Sequence, residues 1–398
     1  MKLKNDIYNK LSKRLYRYAH GFPATQNHIE IKILQKLFTE EQAEIFYQIS
    51  STYPLIPIPA KPNSKRLQKK LNMTQDQLAK KLEDMAQKGL LLRQKFDSKP
   101  NQPFYFPPGF IVGLYEFSLK TIDKELATLC HEYIEDIAKW WNRTQTKQLR
   151  TIPVESSIKN HKGVWPYDKI DEIIKGHKII SVSECICMKE KMMLGKGCKA
   201  QLERCVTFDW FAEHYIDTGI GRQINEKELK DLLNMAEKKG LVISPSAMKD
   251  SIGFCLCCDC CCTWLRIIGS DSKPAMQTES SYRAELDISK CNNCGKCLKR
   301  CNISAIKKET FTEKFTVDLD RCIGCGLCVS TCPTHAIQMV KNGRIFELEK
   351  TASQLFLKMH EEHLRINSFK YNFLKKNMIL FQVKISRFFF KVVEYFQN

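Results

Sequence analysis

The chain has 398 residues, too many for one hydrophobic core, so three or four folding units are expected. A formal net charge of +19 implies an acidic partner, nucleic acid or an anionic membrane face, with a lysine-rich composition as the plainer explanation. Nineteen cysteines would suit a secreted disulfide scaffold, but all except Cys130 lie between 185 and 332 in metal-type spacings, which argues against one. The start, Met1-Lys2-Leu3-Lys4-Asn5-Asp6, is charged and meets no apolar stretch, and no twin-arginine signal is seen. A reducing cytoplasm is therefore the expected compartment.

Residues 1–110 form the first expected unit. Apolar Ile33, Leu34, Leu37 and Phe38 precede a helix that Thr39 and Gln42 should cap and that carries Ala43, Ile45, Phe46 and Ile49. A connector with Pro54, Pro57, Pro59 and Pro62 follows, then Ser64 to Leu71. A second capped helix runs from Thr74 to Lys88, with Leu78, Leu82 and Met85 on one face and Gly89 as its stop. Leu90-Leu91-Leu92 and Phe104-Tyr105-Phe106 flank a polar turn at Pro100-Asn101, a hairpin pattern. In this layout residues 30–108 resemble a winged helix-turn-helix domain. The resemblance implies DNA binding, with the Thr74 helix in the major groove, or docking on protein. Eleven Lys or Arg against four Asp or Glu between 60 and 100 favour phosphate contact. Gln75, Asp76 and Glu83, on faces that DNA would approach, favour docking.

Residues 111–280 read as a mainly helical, cysteine-rich unit. A short buried strand, Ile179-Ile180-Ser181-Val182, leads into Cys185-x-Cys187-x10-Cys198-x6-Cys205. Amphipathic helical sequence from Asp209 to Gly240 separates this from Cys255-x-Cys257-Cys258-x-Cys260-Cys261-Cys262. Folding back of the helices would bring the two groups together. Neighbouring residues of an extended chain face opposite ways, so Cys257 and Cys258 do not readily serve one cube, whereas Cys185 and Cys187 face the same way. The expected occupant is a further [4Fe-4S] cluster, or two, on Cys185, Cys187, Cys198 and Cys205 with help from the 255–262 loop. Zinc and thiol redox chemistry are the alternatives. Cys130 reads as a small buried hydrophobe.

Residues 281–345 carry the most specific signal. Cys291-x2-Cys294-x2-Cys297-x3-Cys301 recurs 31 residues later as Cys322-x2-Cys325-x2-Cys328-x3-Cys332-Pro333. Three cysteines at this spacing wrap one cubane, and the fourth ligates the cluster of the other run. Cluster I thus takes Cys291, Cys294, Cys297 and Cys332, and cluster II takes Cys322, Cys325, Cys328 and Cys301. Leu286-Asp287-Ile288 matches Val317-Asp318-Leu319, and Ala305-Ile306 matches Ala336-Ile337, so each half should run strand, cluster loop, short helix, strand. Gly295 and Gly326 would free backbone N–H groups for the inorganic sulfides. From Glu285 to Val340 the chain resembles a bacterial-type two-[4Fe-4S] ferredoxin domain, with Asn302 where a proline usually follows the fourth cysteine. Structural zinc is the weaker alternative for these runs.

Residues 346–398 read as a basic, amphipathic helical tail. Its last part, 378–398, sets Phe388, Phe389, Phe390, Val392 and Val393 against Lys384, Arg387 and Lys391. That is too charged to span a membrane but suits peripheral contact with an anionic inner face, or docking on protein. No P-loop, G-x-G-x-x-G, G-x-S-x-G or H-E-x-x-H accompanies the cysteines. From about Thr39 to Val340 the combination resembles a family of 4Fe-4S binding-domain proteins from anaerobic bacteria, which implies cluster binding and electron transfer. The expectation is a multidomain α+β electron carrier or redox subunit with two [4Fe-4S] clusters, a middle metal site and a protein redox partner. A cluster-sensing DNA-binding regulator and a redox enzyme built on the middle cysteines are the alternatives.

Overall fold

A computed structural model describes residues 6–50, 59–96, 99–159, 164–198 and 201–368. Helices Ile7–Leu15, Ile29–Leu37, Glu40–Ile49, Lys65–Leu71 and Gln75–Gln87 precede an antiparallel hairpin, β1 (Leu92–Phe96) and β2 (Lys99–Phe106). Both expected capping boxes form: Thr39 Oγ1 accepts from Gln42 N–H at 3.2 Å, and Thr74 Oγ1 from Gln77 N–H at 3.3 Å. Ala60 pairs with Tyr105 through two backbone hydrogen bonds, adding a short third edge to the hairpin. Phe96 pairs across from Lys99, so Pro100 and Asn101 lie inside β2 and not at the turn expected there. Phe96 meets Phe104 edge-on at 4.9 Å, and this aromatic contact extends the strands beyond the apolar triplets.

Helices make up most of the regular structure of the middle unit, but its centre is a sheet. Five antiparallel strands build its centre in the order β5-β3-β4-β7-β6, with β3 Ile180–Glu184, β4 Glu203–Phe208, β5 Gly221–Gln223, β6 Val242–Pro245 and β7 Gly253–Cys257. Serines, threonines and cysteines fill inward positions, which hid the alternation that marks strands. Ser181 and Thr207, both buried, satisfy one another at 2.6 Å between hydroxyls. Helices Lys124–Trp141, Ile186–Met193, Asp209–Asp217, Glu226–Lys239 and Thr263–Gly269 surround the sheet, and the Asn225–Glu228 capping box starts the fourth of these.

The next four strands, β8 (Tyr282–Leu286), β9 (Ile306–Lys308), β10 (Phe315–Val317) and β11 (Ile337–Lys341), pair as β8–β11 and β9–β10. Short helices Lys296–Arg300 and Leu327–Ser330 follow the two cluster loops, giving each half the expected order. A last helix, Ala352–Ser368, returns to the first two units, where His363 packs edge-on to Tyr16 of the N-terminal unit and Trp140 of the middle unit. The segment 378–398 lies outside the described residues. No helix among the described residues is long and apolar enough to cross a membrane.

Candidate metal centres

In the repeat region the chain brings the fourth cysteine of each run to the other run. A cavity of about 360 Å³ is lined by Cys301, Cys322, Cys325 and Cys328, the four thiols assigned to cluster II by spacing. Burial, then the neighbouring Cys301, pushes the Cys325 thiol up to about 12. Cys328 is raised by burial and by Cys325, Cys322 and Cys301. Thiols so disfavoured as free thiolates suit coordination, where a bound cation removes the proton. Backbone N–H groups point at the sulfurs: Ala284 N–H donates to Cys322 Sγ at 3.3 Å and Ala305 N–H to Cys301 Sγ at 3.2 Å. Such donors are the usual means of stabilising a cluster's reduced state.

Around the other run, Cys297 is raised by burial and feels Cys332 and Cys291 nearby. Burial opposes the Cys332 thiolate, but N–H groups of Ile337, Thr334 and Ala336 and the Thr334 hydroxyl outweigh it and leave Cys332 below the ordinary thiol value. Cys294 is exposed. The two centres therefore differ: the Cys294 side opens to solvent, and the Cys325 side faces the protein.

The protein that Cys325 faces is the middle unit. Cys325 C=O accepts from Val154 N–H at 3.0 Å. Gly326 has φ +75°, and a Cβ there would overlap Ser157 Oγ, so only glycine lets the cluster loop and the Ser157 turn meet. Asn302 supplies a second bond across this border. Its Nδ2 donates to Gly240 C=O at 2.9 Å, while its Oδ1 accepts from Asp259 N–H at 3.1 Å. Sequence alone flags Asn302 as a departure from proline; only the fold gives it partners.

In the middle unit Cys205 of β4 stands directly across from Cys255 of β7, and Cys257 follows on the same face of β7. Cys185 and Cys187 are not on an extended chain as expected: β3 ends at Glu184, Cys185 is a helix N-cap and Cys187 lies in the first turn. They remain neighbours, for Cys187 is raised first by its contact with Cys185 and then by burial. With Cys258, Cys261 and Cys262 these thiols line a cavity of about 520 Å³. Cys198 does not join Cys185, Cys187 and Cys205. It sits with Cys258, Cys260 and Cys261, all four sulfurs lying within 4.8 Å of one another. Cys130 is buried in the helix Lys124–Trp141, as expected of a small hydrophobe.

Several charged residues here carry no sequence signal. Arg204, 2 % exposed, donates to Cys258 Sγ at 3.2 Å. Glu116 shares an apolar cavity of about 800 Å³ with Cys187, Cys205 and Cys255, and burial pushes its carboxyl up to about 7. Glu190 is buried between Tyr115 O–H and His131 Nδ1. Arg204 and Glu190 fall within the 185–205 cysteine stretch, but the spacing gives them no role, and Glu116 comes from a segment without a motif; the tertiary fold gives all three their places.

No match was found among curated proteins or solved structures. Residues 284–339 match the family model described as a 4Fe-4S dicluster domain, and with the cysteine geometry above this makes the chain an iron–sulfur protein.

Proposed function

We propose that the protein is an electron-transfer protein or redox subunit. Two [4Fe-4S] clusters, held by Cys291, Cys294, Cys297 and Cys332 and by Cys322, Cys325, Cys328 and Cys301, link an external partner to the middle cysteines. The observation that carries this reading is the border between Cys325 and the middle unit, where Val154, Ser157 and Asn302 press on the second cluster loop. The cubanes, when bound, supply one-electron storage. The chain holds them adjacent, shields one from water and donates N–H groups to its thiolates.

Entry of electrons belongs at the exposed Cys294. Exposed Lys290, Lys296 and Lys299 flank it in sequence, Lys290 paired with Asp287 at 3.0 Å, and Ile288 and Leu298 of the same stretch are exposed at 48 % and 40 %. A basic rim with apolar anchors suits an acidic protein partner. The N-terminal unit, winged-helix-like in element order, fits docking better than DNA binding. Arg93 and Lys95 of β1 pair with Asp217, and Arg93 N–H donates to His214 Nδ1 at 3.2 Å, so the hairpin lies on the middle unit. A hairpin held this way is poorly placed to reach DNA. The reading places the protein in the cytoplasm, and the tail's contact with the inner membrane face is tested by vesicle flotation with 378–398 deleted.

The test is a redox titration followed by EPR, run beside a DNA anisotropy assay. An electron carrier gives reversible signals near about −400 mV and no oxidation-dependent DNA affinity. A regulator gives salt-dependent DNA binding that changes on cluster oxidation, and that result would overturn the reading. A second reading, a redox enzyme, draws on the cavity of about 800 Å³ beside Cys187, Cys205 and Cys255, walled by Trp141, Phe211 and Trp264. Small apolar molecules that shift the middle centre's spectrum would favour it.

A further inference from the structure

The ten middle thiols sort into two groups by distance and direction. Cys260 Sγ lies 3.5 Å from Cys258 Sγ and 3.7 Å from Cys261 Sγ, and Cys261 Sγ lies 3.6 Å from Cys198 Sγ. Among the described residues this is the one group of three or more possible ligand atoms gathered within 4.8 Å. A tetrahedral ion with metal–sulfur bonds of about 2.3 Å holds its sulfurs about 3.8 Å apart. The corners of a cubane hold thiolate sulfurs on the order of 6 Å apart. The observed spacing fits the single ion and is too tight for the cube.

Chain direction explains the sorting. In the adjacent pair Cys257-Cys258, at the end of β7, one member joins each group because neighbouring side chains of an extended segment leave on opposite sides; Cys261 and Cys262, in the turn that follows, are divided in the same way. Cys257 and Cys262 line the cavity of about 520 Å³ together with Cys185, Cys187, Cys205 and Cys255; Cys258 and Cys261 border it too, so the sulfur distances, and not the cavity, divide the groups. Those six are nowhere gathered three at a time within 4.8 Å, as a wider, polynuclear centre requires.

We propose that Cys198, Cys258, Cys260 and Cys261 bind one tetrahedral divalent ion, zinc or ferrous iron, as a closed site separate from the iron–sulfur centre that the other six thiols hold. Four thiolates leave the ion with two excess negative charges. Buried Arg204 offsets one of them through its bond to Cys258 Sγ. The ion ties the loop after the Ile186–Met193 helix to the loop after β7. Asp259 sits between two of its ligands, so the ion also fixes the backbone N–H that Asn302 accepts from, at the border with the second cluster. This site goes beyond the electron-transfer reading and stands without it.

The test uses the full chain purified without oxygen. Zinc, iron and acid-labile sulfide are counted in the wild type and in Cys198→Ser and Cys260→Ser, and the wild type is examined by zinc-edge X-ray absorption. One zinc per chain with four sulfur neighbours at about 2.3 Å supports the site. Iron exceeding sulfide by one per chain, with no zinc, supports it with iron as the ion. Both variants should lose that one ion, a tenfold fall or more, and keep the remaining iron and sulfide. Loss of about four irons with four sulfides from either variant, or unchanged metal in both, overturns the proposal. Should the variants not fold, nitrogen or oxygen ligands at the wild-type zinc edge overturn it equally. Absence of cluster EPR signals from the wild type counts against the electron-transfer reading and leaves this result untouched.

Discussion

Asn302 follows Cys301 at the place where Pro333 follows Cys332, and the difference is felt across a domain border. A proline could neither donate to Gly240 C=O nor accept from Asp259 N–H, as Asn302 does. Asn302→Ala should destabilise the chain by about 1–2 kcal/mol, the cost of one partly buried and one exposed hydrogen bond, with iron per chain unchanged. Denaturant unfolding without oxygen, paired with iron analysis, measures both, and equal stability would mean the border is held elsewhere. Gly326 tests the same border from the other loop. Gly326→Ala meets Ser157 at φ +75°, whereas Gly343→Ala, at φ +78°, meets nothing within 4 Å. Both carry the roughly 1 kcal/mol strain of a left-handed alanine, so any further loss in Gly326→Ala belongs to the clash. The expected outcome is that only Gly326→Ala loses iron, down to about half of that in the repeat region.

At the scale of elements, the last described helix is held by imidazoles that stay neutral. Burial lowers His20 and His360 to about 4 and His363 to about 3, with His360 adding to the effect on His363. The unfolded chain takes up these protons near pH 6.5 and the folded chain does not, so stability is full above that pH and falls as pH drops towards 4. At pH 5 the loss is on the order of 2 kcal/mol for each imidazole. Amides of 352–368 should therefore open more readily at pH 5 than at pH 7.5, after correction for intrinsic exchange rates. Equal opening would mean that the imidazoles titrate normally. The same scale shows what sequence could and could not reveal. Thr39 and Thr74 announced the starts of their helices and Gly89 the end of one through local chemistry, and the cysteine repeat announced its loops, because all those signals lie within a few residues. Of the five-stranded sheet only β3 was legible, from Ile179 to Val182; the other strands stayed hidden because they run three to six residues and place Thr207, Ser244 and cysteines inward. Cys198 was grouped wrongly with Cys185, Cys187 and Cys205 for a related reason: spacing along the chain carries no direction, and the fold turned it towards Cys258.

Over the whole molecule, the cysteine groups run from an exposed Cys294 through the half-buried Cys325 to the middle unit, where Cys257, Cys258, Cys261 and Cys262 are buried and Cys260 is exposed; Val154, Ser157 and Asn302 join that unit to the second cluster loop. The first unit clamps its hairpin on the middle unit through Arg93 and Asp217, and the last described helix packs on Tyr16 and Trp140. Everything about electron flow depends on iron occupying the repeat region. The most direct measurement is the iron and acid-labile sulfide content of protein purified without oxygen. The account predicts at least about eight of each per chain, rising to about twelve when the middle centre is loaded. A colourless protein with zinc in place of iron and no sulfide would contradict it.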